Sequence, residues 1–166
     1  LSLGAIGQLV ADRLAAMDVE VVAWDPFKAD TPLEEVFATC DVVSVHTPLL
    51  PETRGFVGRE LLASMKQGAT LINTARGALI DEPALVEVLS ERPDLFAILD
   101  VSDPEPPPPG SPLLTLPNVV YTPHIAGSLG SERGRLGDLA VAELERFASG
   151  RPLEHALTRE QAERLA

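Results

Sequence analysis

The feature that most restricts the fold of this chain is the alternation of short apolar runs with helix-like segments along almost its whole length. Strand-like runs cover residues 19–24, 41–46, 69–73, 95–101 and 118–122. Segments with helical periodicity cover residues 5–17, 32–38, 59–65, 82–91 and 131–149. Because the strand-like runs are apolar almost throughout, we expect helices to cover both faces of a parallel sheet. The sequence therefore predicts a doubly wound α/β domain that binds ligands at the carboxyl ends of its strands.

Composition excludes several classes of function. Acidic residues outnumber lysine and arginine by 25 to 13, which gives a formal net charge of −12. Such a surface repels phosphate backbones, so we expect no nucleic-acid partner. No apolar run approaches the roughly 20 residues of a membrane helix and no signal-peptide pattern is present, so we expect a cytoplasmic protein that does not bind membranes. The single cysteine, Cys40, excludes an intramolecular disulfide and a multi-cysteine metal site, and no metal is predicted.

Two glycines mark the point where a first short strand, residues 1–3, gives way to a helix. Gly4 and Gly7 match the second and third glycines of the dinucleotide-binding pattern G-x-G-x-x-G, and Ser2 stands where the first glycine belongs. Gly4 would let the backbone approach a pyrophosphate, and Gly7 would let helix and strand pack closely. The Cβ of Ser2 would strain the turn. Taken alone, two glycines at this spacing fit an ordinary strand–helix turn equally well.

An acidic residue strengthens the dinucleotide interpretation. Asp25 stands at the end of the strand-like run at residues 19–24, about 20 residues after the glycines, where an acid bonds the ribose hydroxyls of adenosine. A carboxylate there would repel a 2′-phosphate, and no arginine follows it closely, which favours NAD over NADP. The alternative is an Asp-Pro turn without a ligand. Together with Gly4 and Gly7, Asp25 favours a dinucleotide site.

Three further motifs follow in a fixed order. They are the run MKQGATLINTARGALID at 65–81, the segment Leu99-Asp100-Val101 with Glu105-Pro106 after it, and TPHIAG at 122–127. In this order they resemble the D-isomer-specific 2-hydroxyacid dehydrogenases, and the resemblance extends from residue 1 to about residue 153. The family's fold is two Rossmann-like domains, and its members usually form homodimers through the cofactor domain.

The resemblance implies a domain organisation. Residues 1–128 correspond to the Rossmann-like NAD-binding domain, with its first strand truncated. Residues 129–166 correspond to a helix and tail that return toward the substrate domain, which is largely missing. We therefore expect a homodimer, and apolar faces that another chain or domain would cover.

The resemblance also implies three catalytic residues. Arg76 matches the arginine that holds the carboxylate and carbonyl of a keto acid, a task that suits a planar guanidinium. His124 matches the acid/base that exchanges a proton with the carbonyl oxygen. Glu105 matches the carboxylate that bonds the other imidazole nitrogen, which fixes the tautomer and favours the protonated ring.

The same resemblance extends the cofactor site. Besides the glycines and Asp25, it implies contacts from the helix start, from the residues after the strand-like runs at 41–46 and 69–73, and from the segments around Asp100 and the histidine. These residues are Ala5, Ile6, Thr47, Pro48, Thr74, Ala75, Arg76, Asp100, His124, Ala126 and Gly127.

The expected function is that of an NAD-dependent oxidoreductase. It would transfer a hydride between nicotinamide and the C2 of a small 2-hydroxy or 2-keto acid. Two other interpretations stay open: an NAD(H)-sensing binding or corepressor-like module, and a catalytically inactive NAD-binding fragment. Neither the acid that serves as substrate nor the physiological direction follows from the sequence.

Overall fold

The computed structural model describes residues 1–163 and divides the chain into two compact units, Leu1–His124 and Ile125–Ala166. The expected boundary at residue 128 concerns a cofactor-binding domain and stays a prediction.

The first unit alternates helices and strands as the sequence predicts. Its helices are α1 (Ala5–Leu14), α2 (Leu33–Thr39), α3 (Arg59–Ser64) and α4 (Glu82–Glu91). Its strands are β1 (Trp24–Asp25), β2 (Ala29–Asp30), β3 (Val42–Val45), β4 (Thr70–Asn73), β5 (Phe96–Leu99) and β6 (Val119–Tyr121). Three short 3₁₀ helices cover Pro51–Thr53, Gly77–Leu79 and Pro112–Leu114.

Strands β3 to β6 form a parallel sheet in the order β3-β4-β5-β6. Its register places Val45, Asn73, Leu99 and Tyr121 in one row across the sheet. Because each of these residues ends its strand, the four following segments leave the sheet at one edge. The predicted parallel α/β architecture is confirmed, and this edge is where ligands are expected.

The two faces of this sheet differ within the first unit. Buried residues alternate along β3, β4 and β5 and form one core with α2, α3 and α4. On the other face Phe96 is 49% exposed and Val120 is 56% exposed. The helix cover expected on this second face is therefore absent over β5 and β6 in the first unit. The reason is topological: right-handed crossovers between strands added in one direction leave their helices on one side.

The start of the chain continues the sheet beyond β3. The His46 amide donates to the Leu1 carbonyl at 3.0 Å, and the Ser2 amide donates to the Trp24 carbonyl at 2.7 Å. Residues 1–3 thus lie between β3 and β1, which fits the predicted truncated first strand. The strand order reverses here, so this is the topological switch point of a doubly wound fold.

The predicted strand at 19–24 is mostly absent. Only Trp24 and Asp25 are in strand conformation, and they pair antiparallel with β2, which the sequence did not predict. Val19 and Val21 are exposed. Residues 1–3 reach only as far as Trp24, so the described structure offers residues 19–23 no neighbouring strand.

The predicted helix at 5–17 is also shorter and less buried than expected. Helix α1 ends at Leu14, and Gly7 is its only buried residue. Ile6 and Leu9, which the periodicity placed on a packed face, are exposed. By contrast, α4 begins and ends at the predicted residues. Its first residue is fixed by a cap, because the Asp81 side chain accepts a hydrogen bond from the Ala84 amide.

The second unit contains α5 (Glu132–Ala148) and α6 (Arg159–Glu163). None of the residues of α5 is buried, although the helix carries a series of large apolar side chains. The exposed ones are Leu136, Leu139, Val141, Leu144 and Phe147. Among the described residues, no helix is both long enough and apolar enough to cross a membrane.

Candidate active site at the carboxyl edge of the sheet

The glycine turn has the close packing that a dinucleotide site requires. Gly4 caps the amino end of α1, and an added Cβ there would meet no atom within 4 Å. An added Cβ on Gly7 would lie 1.9 Å from the Ser2 carbonyl oxygen, which no side chain can accommodate. Gly7 therefore lets α1 approach the first strand, and Gly4 leaves the helix start open to a ligand.

Ser2 occupies the position of the first glycine with a backbone that glycine would favour. Its φ is +69°, in the left-handed region that costs an L-residue of order 1 kcal/mol. The side chain is buried, and its hydroxyl shares a 3.0 Å hydrogen bond with the hydroxyl of Thr47, which is also buried. The expected strain is thus present, and the Ser2–Thr47 bond offsets part of it. The same bond fixes Thr47 beside the glycine turn.

Asp25 is buried next to this turn. One carboxylate oxygen accepts the Leu3 amide at 2.7 Å, and the other accepts the Phe27 amide at 2.9 Å. Both bonds hold the carboxylate at the end of β1, directly beside the residue that precedes Gly4. The turn, the open helix start and an oriented carboxylate are the parts that the adenosine and pyrophosphate of a dinucleotide need. The residues present therefore fit this cofactor.

Asn73 organises the segment that carries Arg76, and the sequence reasoning assigned it no role. It is buried at the end of β4, where its side chain accepts the Ala75 amide at 3.0 Å and donates to the Arg76 carbonyl at 2.9 Å. Its own carbonyl accepts the Asp100 amide at 2.9 Å. A polar residue that ends an otherwise apolar strand is the signal that could have identified it.

Asp100 links β5 to the segment that follows β6. Its buried carboxylate accepts the Thr122 hydroxyl at 2.5 Å. Its carbonyl accepts the His124 amide at 2.9 Å. His124 itself has a φ of +54°, a conformation that a non-glycine residue adopts only when its surroundings impose it. Asp100 thus holds the histidine backbone together with Thr122, whose carbonyl also accepts the His124 amide at 3.0 Å.

Glu105 and His124 are in direct contact. His124 Nδ1 lies 2.6 Å from Glu105 Oε1, with the side chains 46% and 36% exposed. Because an ionised carboxylate only accepts hydrogen bonds, Nδ1 carries a proton in this arrangement. The ring therefore points its other nitrogen, Nε2, away from Glu105.

Arg76 shares the edge with this pair without joining it. Its guanidinium is exposed and donates to the adjacent Ala75 carbonyl at 2.7 Å. Among the described residues, no hydrogen bond or ion pair connects Arg76 to Glu105 or His124. The structure thus places all three in the segments that follow the adjacent strands β4, β5 and β6, and it brings Glu105 and His124 together.

The remaining predicted cofactor residues divide into two groups. In the first unit, Thr74 and the half-buried Ala75 precede Arg76, and Pro48 follows Thr47 after β3. Ala126 and Gly127 are exposed and belong to the second unit.

His46, at the end of β3, has a structural role. Its Nε2 lies 3.0 Å from the Ser44 hydroxyl, and burial lowers the pKa of its ring. Among residues 1–163, no group of acidic, histidine or cysteine side chains has the arrangement of a metal site.

Comparison with known proteins places this geometry in a family. The chain is 40% identical over 153 residues to glycerate dehydrogenase from Methylorubrum extorquens, covering 90% of this chain and 49% of that protein. It is 36% identical over 167 residues to D-3-phosphoglycerate dehydrogenase from Archaeoglobus fulgidus, covering 95% of this chain and 32% of that protein. The chain thus spans between about a third and a half of these curated relatives.

A solved structure gives the same result. The TT0316 protein from Thermus thermophilus is 46% identical and superimposes with a TM-score of 0.78, over 93% of this chain and 51% of that one. Solved structures similar to this chain include complexes with NAD and complexes with NADP. The family model of the D-isomer specific 2-hydroxyacid dehydrogenase NAD binding domain matches residues 1–126. The chain therefore belongs to the NAD-binding-domain family of the D-isomer-specific 2-hydroxyacid dehydrogenases.

Proposed function

We propose that this chain binds NAD and that the intact protein transfers a hydride between nicotinamide and the C2 of a small 2-hydroxy or 2-keto acid. The observation that carries the proposal is the 2.6 Å contact between Glu105 and His124, at the sheet edge that also holds Arg76. An oriented imidazole and an exposed guanidinium, both in segments that leave this edge, would supply the two groups that a keto acid needs, a proton donor and a carboxylate partner.

The adenosine half of the cofactor is proposed to lie on the glycine turn. The first amides of α1, those of Ala5 and Ile6, face no intrahelical acceptor and would hold the pyrophosphate with the help of the helix dipole. Asp25 would accept the ribose hydroxyls, since each carboxylate oxygen can accept a second hydrogen bond. Thr47 and Pro48 would border the adenosine.

The nicotinamide half is proposed to lie between the ends of β4 and β6. Thr74, Ala75 and Asp100 would border it in the first unit. Ala126 and Gly127, which follow the histidine in sequence, stay predicted contacts on the family resemblance. The bound cofactor supplies the hydride, and the protein supplies orientation and proton transfer.

His124 would exchange the proton through Nε2. In reduction it would donate to the carbonyl oxygen of the keto acid, and in oxidation it would accept the hydroxyl proton. Glu105 holds Nδ1, so only Nε2 would face the substrate.

Arg76 would bind the carboxylate of the acid. Its guanidinium is exposed and donates to a neighbouring backbone carbonyl, a bond that it can exchange for a substrate carboxylate at small cost. Two parallel N–H donors match a planar carboxylate and hold the reacting carbon in one orientation.

Asp25 is expected to set the preference for NAD over NADP. Changing Asp25 to Asn should weaken NADH binding by roughly tenfold or more, the value of a hydrogen bond to a charged group. The ratio of NADH affinity to NADPH affinity should also fall. Fluorescence titration with NADH and NADPH measures both. The matched control is Asp30→Asn, an exposed acid on the neighbouring strand β2, which should change neither affinity. Tighter binding of NADPH than of NADH by the unmutated protein would contradict this assignment.

We also propose that the intact protein is a homodimer. The support is the exposed apolar surface that each unit carries, at Phe96 and Val120 on the sheet and at Phe147 on α5. Large apolar side chains grouped on a surface usually mark an interface. Light scattering should give twice the monomer mass at micromolar concentration. A monomer at high micromolar concentration would refute the proposal.

A further inference from the structure

We propose that Ser102 is a positioning residue, which together with Tyr121 holds the segment that carries Glu105 and thereby keeps the His124 ring in one orientation. The inference rests on the proposed function for its catalytic meaning. Its structural content is independent of that function and can be tested in this chain alone.

The first step is a directed pair of hydrogen bonds. The Ser102 hydroxyl is buried and donates to the Pro104 carbonyl at 2.9 Å. The Tyr121 hydroxyl lies 3.3 Å from the same serine oxygen. A serine hydroxyl has one proton, so when it donates to Pro104 the tyrosine must donate to the serine. The hydrogen bonds therefore run from the Tyr121 donor through the Ser102 hydroxyl to the carbonyl of Pro104, the residue immediately before Glu105.

These hydrogen bonds connect the two chain segments that carry Glu105 and His124. Tyr121 ends β6, and the chain reaches His124 three residues later. Glu105 directly follows Pro104 and contacts the His124 ring at 2.6 Å. The exposed Glu105 carboxylate thus stands on a segment that the buried Ser102 hydroxyl holds at Pro104, while the exposed Arg54 and Glu82 side chains hold it at Asp103. Loss of the Ser102 hydroxyl removes this bond to Pro104, and loss of the Tyr121 hydroxyl removes the donor that orients the Ser102 hydroxyl, in both cases without touching Glu105 or His124.

The third step concerns the other side of Ser102. An added Cβ on Gly77 would lie 2.1 Å from the Ser102 carbonyl carbon, so the residue after Arg76 packs directly on the serine backbone. Ser102 therefore fixes its own backbone against the Arg76 segment and uses its side chain to fix the Glu105 segment. The hydroxyl is what the second task requires, because alanine would leave the Pro104 carbonyl without this donor.

The test measures the tautomer of the His124 ring, a property that a change in the stability of the protein does not by itself alter. In ¹⁵N-histidine-labelled chain above neutral pH, the His124 ring should show the protonated Nδ1 that the Glu105 contact requires, with the resonance assigned through His124→Gln. In Ser102→Ala and in Tyr121→Phe, we expect the signal to move toward the mixture of tautomers of a free imidazole. Ser90→Ala removes an exposed hydroxyl that also bonds a backbone carbonyl, that of Val86, and should leave the signal unchanged.

A second experiment measures keto-acid reduction by the intact protein. Ser102→Ala should lower kcat for keto-acid reduction by up to about 10²-fold, the effect of misplacing a catalytic group by roughly an ångström, with the KM for NADH unchanged. In a Glu105→Ala background the same change should have no further effect, since the residue it positions is gone.

The outcomes separate the two proposals. An unchanged His124 signal in both folded variants overturns the positioning role, whatever the protein catalyses. An equal loss of kcat with and without Glu105 overturns it as well, because Ser102 would then act by another route. If the signal moves as expected but the intact protein reduces no keto acid, the positioning role stands and the proposed function fails. Tyr121→Phe retains the ring and keeps the test decisive if Ser102→Ala does not fold.

Discussion

Changing His124 to Ala should lower keto-acid reduction by the intact protein by about 10²- to 10⁴-fold, the usual contribution of a general acid–base group. The physical reason is that the variant lacks the imidazole that Glu105 orients, and with it the proton for the carbonyl oxygen as the hydride arrives. Binding of NADH should change little, because the proposed pyrophosphate and ribose contacts lie at the glycine turn and Asp25.

The measurement is the oxidation of NADH, followed by absorbance, with glyoxylate, hydroxypyruvate, pyruvate and phosphohydroxypyruvate in turn. This panel is also the test of the proposed function, and the best substrate identifies the acid. The matched control is His155→Ala, an exposed histidine in the second unit that should leave kcat/KM unchanged.

The possible results distinguish the interpretations that the sequence left open. Turnover that depends on His124 supports the oxidoreductase. NADH binding by the intact protein without turnover of any acid favours a sensing module. Turnover by the intact protein together with NADH binding but no turnover by this chain alone favours a catalytically inactive fragment. Turnover that survives His124→Ala within a factor of a few would remove the histidine from the proposed mechanism.

The sheet edge could be predicted from the sequence because its determinants are local. Apolar runs bounded by turns predict β3 to β6 within about two residues, and helical periodicity over residues 82–91 predicts α4. The parallel arrangement then brings the segments after β4, β5 and β6 to one edge. The ordered motifs predict which residues on those segments belong to the candidate site.

What could not be predicted depends on contacts between distant segments. Residues 19–23 have a strand-like composition, but a strand forms only where a neighbour supplies hydrogen bonds, and residues 1–3 reach only Trp24. The open face of the sheet at β5 and β6 follows from the direction in which strands are added, which composition does not encode. Asn73 and Ser102 act through bonds to backbone groups whose positions exist only in the folded chain.

Because α1 packs closely against residues 1–3, the substitution Gly7→Ala should lower both the stability of the first unit and its affinity for NADH. In a helix interior this change normally stabilises by about 1 kcal/mol, because alanine has the higher helix propensity. At Gly7 the new methyl group would lie 1.9 Å from the Ser2 carbonyl oxygen, and this oxygen belongs to the backbone, which cannot turn aside. Overpacking of this kind typically costs about 1–3 kcal/mol, so the steric term should exceed the propensity gain.

The helix can relieve the clash only by moving away from residues 1–3. That movement would shift the amides of Ala5 and Ile6 from the proposed pyrophosphate position, so we expect NADH affinity to fall by more than about tenfold, equivalent to at least ~1.4 kcal/mol. Urea unfolding followed by the fluorescence of Trp24, the single tryptophan, reports the first unit, since the Trp24 carbonyl accepts the Ser2 amide. The unfolding midpoint should fall together with the affinity.

The control for this experiment is the same substitution where space is open. Gly137 lies within α5 and an added Cβ there would meet nothing within 4 Å, so Gly137→Ala should leave both the Trp24 transition and the NADH affinity unchanged. A Gly7→Ala chain that is as stable as the unmutated one and binds NADH equally well would show that α1 does not need its close approach to Ser2. In that case Gly7 would be an ordinary helix residue, and the glycine turn would lose its part in the proposed cofactor site.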